Sequence, residues 1–371
     1  MTYRTAAVVT LALVCSGGAA TCARSAAPAL TDRSEETAVT RLPVRLQPLD
    51  DPMLDGLAAR EHLRDVAPAK GRQFDRILRV KDWVAAQWPN GTPDPYPPWN
   101  ALIVLDWIRS GKTGGFCGQY AQVLLQSLAA LGFNARYVEI GSIDNPYAHY
   151  INEVWSNDFD KWVMMDANYN VHFERDGVPM SVLEIHDALL DDTLGNVRPV
   201  LGKVRKGHPP PNMWPKKTAE LYRYIRYHLK ADHLSKPDEP PFDRFNDMVE
   251  FEDPRVVSWE QSKVSSPYPK TRLTRQRTTD RAAISAGLNH VALTVLHTTP
   301  SAVVYGLSND VFQFDHYEYR VVQTGAEPWQ TLHEAPLTWP SPPSGAWLEV
   351  RGVNIRGVAG PVVKASADAS P

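Results

Sequence analysis

At 371 residues the chain exceeds the usual length of one domain, so two cores joined by a linker are expected. A hydrophobic share of 43% with 22% charged residues excludes global disorder. With 39 Lys and Arg against 42 Asp and Glu the net charge is −3, so no long-range field draws the protein to nucleic acid or anionic lipid.

The opening sequence MTYRTAAVVTLALVCSGGAATCARSAAP has an early Arg, an apolar run and then small residues. This is the pattern of a secretory signal over residues 1–23, with cleavage expected after Ala20. The protein is therefore expected to be exported, to the periplasm or the extracellular space. A competing reading anchors it through a lipid on Cys22, although Thr21 is a poor residue just before such a cysteine. The apolar run is shorter than the ~20 residues of a spanning helix and no later stretch reaches that length, so no transmembrane segment is expected.

Residues 24–64 read as an irregular arm with a short helix near 53–64. An α+β core is expected over 65–200. Ile77, Val80, Trp83 and Val84 recur at helical spacing within 74–88, and a Pro-rich loop over 89–100 separates that helix from a second over 101–110. A Gly-Gly turn then opens a long helix with apolar Ala121, Leu124, Leu125, Leu128 and Leu131, stopped by Gly132. Three strands are expected at 135–140, 149–155 and 161–166, the last two joined by a turn at 157–160. Residues 201–283 read as a Pro-rich, partly helical connection, with Leu221, Ile225 and Leu229 on one face of a helix over 218–231. Its basic residues Lys203, Arg205, Lys206, Lys216 and Lys217 read as solvated. Alternating segments over 284–365 (HVALTVLH, AVVYGL, YEYRVV, WLEVRGV) predict a C-terminal all-β sandwich of fibronectin or immunoglobulin type. That module is expected to be separable from the chemistry and to act in targeting or substrate presentation.

Of three cysteines, Cys15 lies in the apolar export segment and Cys22 at its edge, leaving Cys117 alone in the globular part. A lone thiol in an oxidising compartment is a liability unless chemistry uses it. Cys117 follows Gly114, Gly115 and Phe116 at a helix start, where unpaired backbone N–H groups favour a thiolate. His149 starts one strand and Asp166 ends the next, so a carboxylate could orient an imidazole toward the thiol. Asp166 also has a bland reading, since an Asp beginning DANYN can stabilise a turn.

The segments GGFCGQYAQVLLQSLAALGFNARYVEI, HYINEVW and KWVMMDANYN resemble the transglutaminase-like superfamily. The matching positions are Cys117 at the helix start, then Leu131, Gly132, Ala135, Arg136, Tyr137 and Val138, then His149 with Glu153, then Trp162 with Asp166. The resemblance implies a papain-like fold, a Cys117–His149–Asp166 triad and an acyl-enzyme thioester. It points to a bacterial secreted member acting on a protein or peptide substrate, or on a cell-envelope polymer. Hydrolysis is the first reading, because nothing marks an amine channel. An amine-transferring cross-linker and a non-catalytic cell-surface or polysaccharide-binding scaffold remain open. The Cys117 N–H would bind the oxyanion with a second donor, either the Trp99 indole or the Gln119 side chain.

No cofactor or metal is expected. Zinc-type Cys pairs, HExxH and phosphate loops are missing from the sequence. Asp166, Asn168 and Asn170 begin like a calcium loop, but Val171 and Gly177 occupy its Gly and Glu positions.

Overall fold

A computed structural model describes residues 41–145, 148–203, 206, 216–237, 247–258, 276–325 and 327–367. The expected leader with Cys15 and Cys22, Arg205, and the Pro209–211 and Pro240–241 clusters lie outside the described residues. Residues Val39–Pro371 group into one compact unit.

Helix α1 (Pro52–Arg60) begins where the Asp51 side chain accepts from the Met53 N–H, with Pro52 in its first turn. Helices α2 (Leu63–Val66), α3 (Gln73–Ala85) and α4 (Ala101–Arg109) follow. Their apolar faces close around α5 (Cys117–Ala130), of which every residue after Cys117 is buried. The helix stops because Gly132 takes a left-handed φ of 87°, with its N–H on the Ala129 carbonyl and the Phe133 N–H on that of Leu128.

The chain then builds β1 (Ala135–Gly141), β2 (His149–Ser156) and β3 (Lys161–Met165), within one residue of the expected strands. A small sheet of β4 (Val171–Arg175), β5 (Val178–Pro179) and β6 (Val197–Leu201) follows, with α6 (Val182–Leu190) inserted before β6.

The helix expected over 218–231 does not form. The short α7 (Lys216–Ala219) and a 3₁₀ turn lead instead into β7 (Tyr224–His228), with all five residues buried. Together with β8 (Met248–Phe251) and β9 (Gln276–Thr278) it extends the main sheet, whose order is β3-β2-β1-β7-β8-β9. Spacing of four places residues on one face of a helix, but four is even, so it does the same on a strand. Ile225 and Leu229 do share a core, as strand residues and chain neighbours of β7. The segment expected to be a connection thus supplies interior strands of the sheet.

After α8 (Arg281–Ser285) come two antiparallel sheets. One holds β10 (Val291–Thr299), β11 (Ala302–Asn309) and β14 (Leu337–Pro340). The other holds β12 (Phe314–Val322), β13 (Gln330–Leu332), β15 (Trp347–Asn354) and β16 (Val363–Ser366). Tyr305, Leu337 and Trp339 of the first meet Tyr317, Leu348 and Val350 of the second in one apolar cluster.

This C-terminal part docks on the helical layer rather than standing off from it. Asn354 donates to the Gly132 carbonyl at 2.9 Å, and Val358 joins the apolar cluster around α5. A Cβ on Gly132 would lie 2.6 Å from the Arg356 Cβ, so both φ and contact demand glycine there. Asn157 donates to the Ala359 carbonyl at 2.7 Å, and the Trp162 indole to that of Ala286 at 3.1 Å. These contacts join the C-terminal sheets to the core.

Candidate active site

The backbone before Cys117 is held in place by a second strand of loop. The Gly91 N–H donates to the Gly115 carbonyl at 2.9 Å and the Gly114 N–H to the Thr92 carbonyl at 3.1 Å. A Cβ on Gly114 would fall 2.5 Å from the Thr92 oxygen, and one on Gly115 would fall 2.7 Å from the Trp88 indole nitrogen. These glycines serve close packing, since neither has positive φ. Gln119 turns back so that its Oε1 accepts from the Phe116 N–H at 3.2 Å, fixing the entry to α5.

His149 opens β2, and the β2–β3 register ends at Asn152 opposite Met165, which leaves Asp166 one residue further and diagonal to His149. Asp166 begins a tight hairpin, exchanging both backbone hydrogen bonds with Val171. Its Oδ1 accepts from the Tyr169 N–H at 2.9 Å, while Oδ2 meets His149 Nε2 at 2.7 Å. The bland reading and the sharp one are therefore both present, each using one oxygen of the same carboxylate.

The Cys117 thiol makes a side-chain hydrogen bond with His149. His149 and Asp166 are nearly sealed from solvent, and Cys117 is half-buried. Burial by itself would push the His149 pKa down. The charge and hydrogen bond of Asp166, joined by Cys117, outweigh that and hold it well above the ordinary value. An imidazole that keeps its proton is the partner a thiolate needs.

A cleft of about 500 Å³ opens onto these groups, lined by Asn90, Thr92, Phe116, Cys117, His149 and Tyr169 among others. Tyr169 stacks on His149 with ring centroids 4.6 Å apart and 18° between planes. Burial raises the Tyr169 pKa, which keeps the phenol neutral beside the carboxylate.

Residues 61–167 match the family model of the transglutaminase-like superfamily. The crystal structure of red sea bream transglutaminase is similar over 82% of this chain and 52% of that one, at 13% identity and a TM-score of 0.25. The chain thus spans about half the length of that structure. No curated protein matches the sequence. The matched span contains all three residues expected as a triad.

The two expected oxyanion donors lie elsewhere. Trp99 packs edge-on against Tyr137 at 5.1 Å and tilts over His233 at 4.6 Å, while Gln119 is fully buried, and neither lines the cleft. Glu153 is framework, as its type suggests. It takes two donors from Arg136, at 2.6 and 3.0 Å, and the Val182 N–H at 2.7 Å.

Sequence reasoning missed Asn90, Asn168, Tyr169 and Lys81. Asn168 and Tyr169 sit inside the DANYN segment weighed as a calcium loop. Their signal was the turn itself, which projects its residues beside the Asp166 carboxylate. Lys81 is 1% exposed on α3, and burial pushes its pKa down to about 8 against the opposing pull of Asp82 and Asp166.

Proposed function

We propose that the protein is an exported thiol enzyme that hydrolyses amide bonds of protein or peptide substrates through a Cys117 thioester. The observation that carries this reading is the use of both edges of one imidazole, with Asp166 on His149 Nε2 and the Cys117 thiol hydrogen-bonded to the same ring.

The steps follow from that arrangement. With its proton already held by His149, the Cys117 thiolate attacks the amide carbonyl carbon and the carbonyl π electrons move to oxygen. Collapse of the tetrahedral species breaks the C–N bond, and the His149 imidazolium protonates the departing amine. A water molecule, deprotonated by His149, then attacks the thioester, releases the acid and leaves the proton on His149 beside the freed thiolate. Asp166 stays ionised and fixes the ring. The two C-terminal sheets, read as a sandwich of fibronectin or immunoglobulin type, would act in targeting or substrate presentation.

Intact mass after incubation with iodoacetamide, and separately with glutamine-containing peptides, tests the reading. Alkylation at Cys117, told apart from any at Cys22 by peptide mapping, and a transient acyl adduct that decays in water are expected, both abolished by Cys117→Ala. Product carrying added glycine ethyl ester in place of water would shift the reading to amine transfer. A thiol that reacts only after unfolding would end it.

A further inference from the structure

We infer that Asn90 is the second oxyanion donor of this site, held in its donating orientation by Asn168. The inference rests on the thioester reading above and names a residue that reading leaves open. The developing oxyanion needs a donor besides the Cys117 N–H, and it must come from the wall of the cleft. Among the described lining residues, side-chain N–H or O–H groups besides His149 belong to Asn90, Thr92, Asn168 and Tyr169.

Three of these are placed for other tasks. Tyr169 lies flat on the imidazole. Thr92 is exposed, and its carbonyl holds the Gly114 N–H. Asn168, almost wholly buried, donates its Nδ2 to Asn90 Oδ1 at 3.1 Å. That bond takes the acceptor end of the Asn90 amide, so the donor end, Nδ2, is the one left for the cleft.

Backbone geometry puts Asn90 on the correct side. Its neighbour Gly91 is bonded to Gly115, two residues before the nucleophile, so Asn90 borders the same opening as the start of α5. Thiolate attack moves the carbonyl π pair onto oxygen, and the Cys117 N–H and Asn90 Nδ2–H donate to that oxygen. When the oxyanion collapses and the C–N bond breaks, both donors return to weaker partners, with no proton lost from either.

The test separates chemistry that makes an oxyanion from chemistry that does not. Acylation by p-nitrophenyl acetate passes through a tetrahedral oxyanion, whereas alkylation by iodoacetamide is a displacement at carbon and forms none. Asn90→Ala and the isosteric Asn90→Asp should each slow the nitrophenolate burst about 10²-fold while leaving the iodoacetamide rate within about twofold. Asn168→Leu should slow the burst less. Equal loss with both reagents would mean that Asn90 only shapes the thiol, and a burst unaffected by Asn90→Ala would likewise overturn the assignment. A wild-type Cys117 inert to both reagents would refute the thiol reading itself, and this inference with it.

Discussion

His149 and His186 are both buried and both lie against an aspartate, at 2.7 Å to Asp166 and 3.3 Å to Asp253. Their proton affinities nevertheless move in opposite directions, up for His149 and down for His186. Burial lowers both, so the difference lies in what else each carboxylate serves. Asp253 is claimed by Arg255, through Nε at 2.9 Å and Nη2 at 2.6 Å, and its Oδ2 lies 3.5 Å from Arg281. Asp187, next to His186, is paired with the same two arginines. The Tyr222 carbonyl accepts from His186 Nδ1 at 2.7 Å, which holds a proton on that nitrogen, and it is burial that lowers the ring's proton affinity. Asp166 instead spends one oxygen on a backbone N–H and the other on His149. A His–Asp contact becomes chemistry only where no arginine neutralises the aspartate and a nucleophile occupies the far side of the ring.

The largest test of that contrast removes one carboxylate charge at a time. Asp166→Asn should keep the fold and cut acyl turnover by about 10³- to 10⁴-fold, because the ring loses its tautomer and its counter-charge. Asp253→Asn should leave turnover within about twofold and instead lower stability by roughly 1–3 kcal/mol, as two guanidinium groups and an imidazole lose their acceptor. Comparable losses of turnover in both variants, measured beside thermal melts, would erase the distinction.

Lys81 sharpens the same point, as a buried cation that feels the Asp166 charge. Its folded pKa of about 8 lies below its ordinary 10.5, so between these values the folded state binds fewer protons and stability rises with pH. Below pH 8 the buried charge costs the fold roughly 3 kcal/mol at 1.36 kcal/mol per unit. Lys81→Met should therefore raise the melting temperature at pH 7, with the gain gone above about pH 10. A variant that melts lower at pH 7 would make Lys81 a supporting partner of Asp166.

The two histidines also predict opposite pH signatures in stability. His149, raised above 6.5, contributes stability that is complete below that value and is lost as pH climbs through its folded pKa. His186 is lowered, so its folded state resists protonation and stability falls as pH drops below 6.5 toward its folded pKa. His172, pushed down to about 4 chiefly by burial, adds to this acid-side loss. Melting curves of His149→Gln should flatten the alkaline slope, and those of His186→Gln the acid slope. Crossed results would refute the assignment of opposite charge states.

Much of this was legible from the sequence, and the failures have a common physical origin. Helices α3 and α4 announce themselves by a one-faced apolar period, while α5, β1 and β2, buried on every face, are bracketed by the Gly114–Gly115 turn, Gly132 and the 157–160 turn. Cys117, His149 and Asp166 could be picked out because glycine, helix start and strand order bracket them locally. Strand β7 was misread because it is buried on both sides, where helical and strand spacing coincide at four residues. Trp99 was misjudged because nothing local distinguishes a tryptophan aimed at a cleft from one packed on Tyr137 and His233. Asn90 was invisible for the same reason, since its partner Asn168 lies 78 positions away.

The smallest expected effect belongs to Tyr169, which has no counterpart at His186 among the described residues. There the nearest aromatic partner, Phe251, meets the ring edge-on at 5.7 Å, a packing contact with no orienting plane. Tyr169 lies nearly parallel to His149 and is anchored through its own N–H to the aspartate that bonds the same ring. The stack should hold the imidazole in the plane that points one nitrogen at Cys117 and the other at Asp166. Stacked pairs contribute about 0.5–1.5 kcal/mol beyond their burial, which corresponds to roughly 2- to 12-fold in rate. Tyr169→Leu keeps an apolar cover but loses the plane, so acylation should slow within that range with little change in melting temperature. Tyr169→Phe should restore the wild-type rate, because the argument uses the ring and not the hydroxyl. Failure of Phe to rescue would instead make the phenol a hydrogen-bonding participant in the cleft, and the two rates, measured with one acyl donor at one pH, decide between ring and hydroxyl.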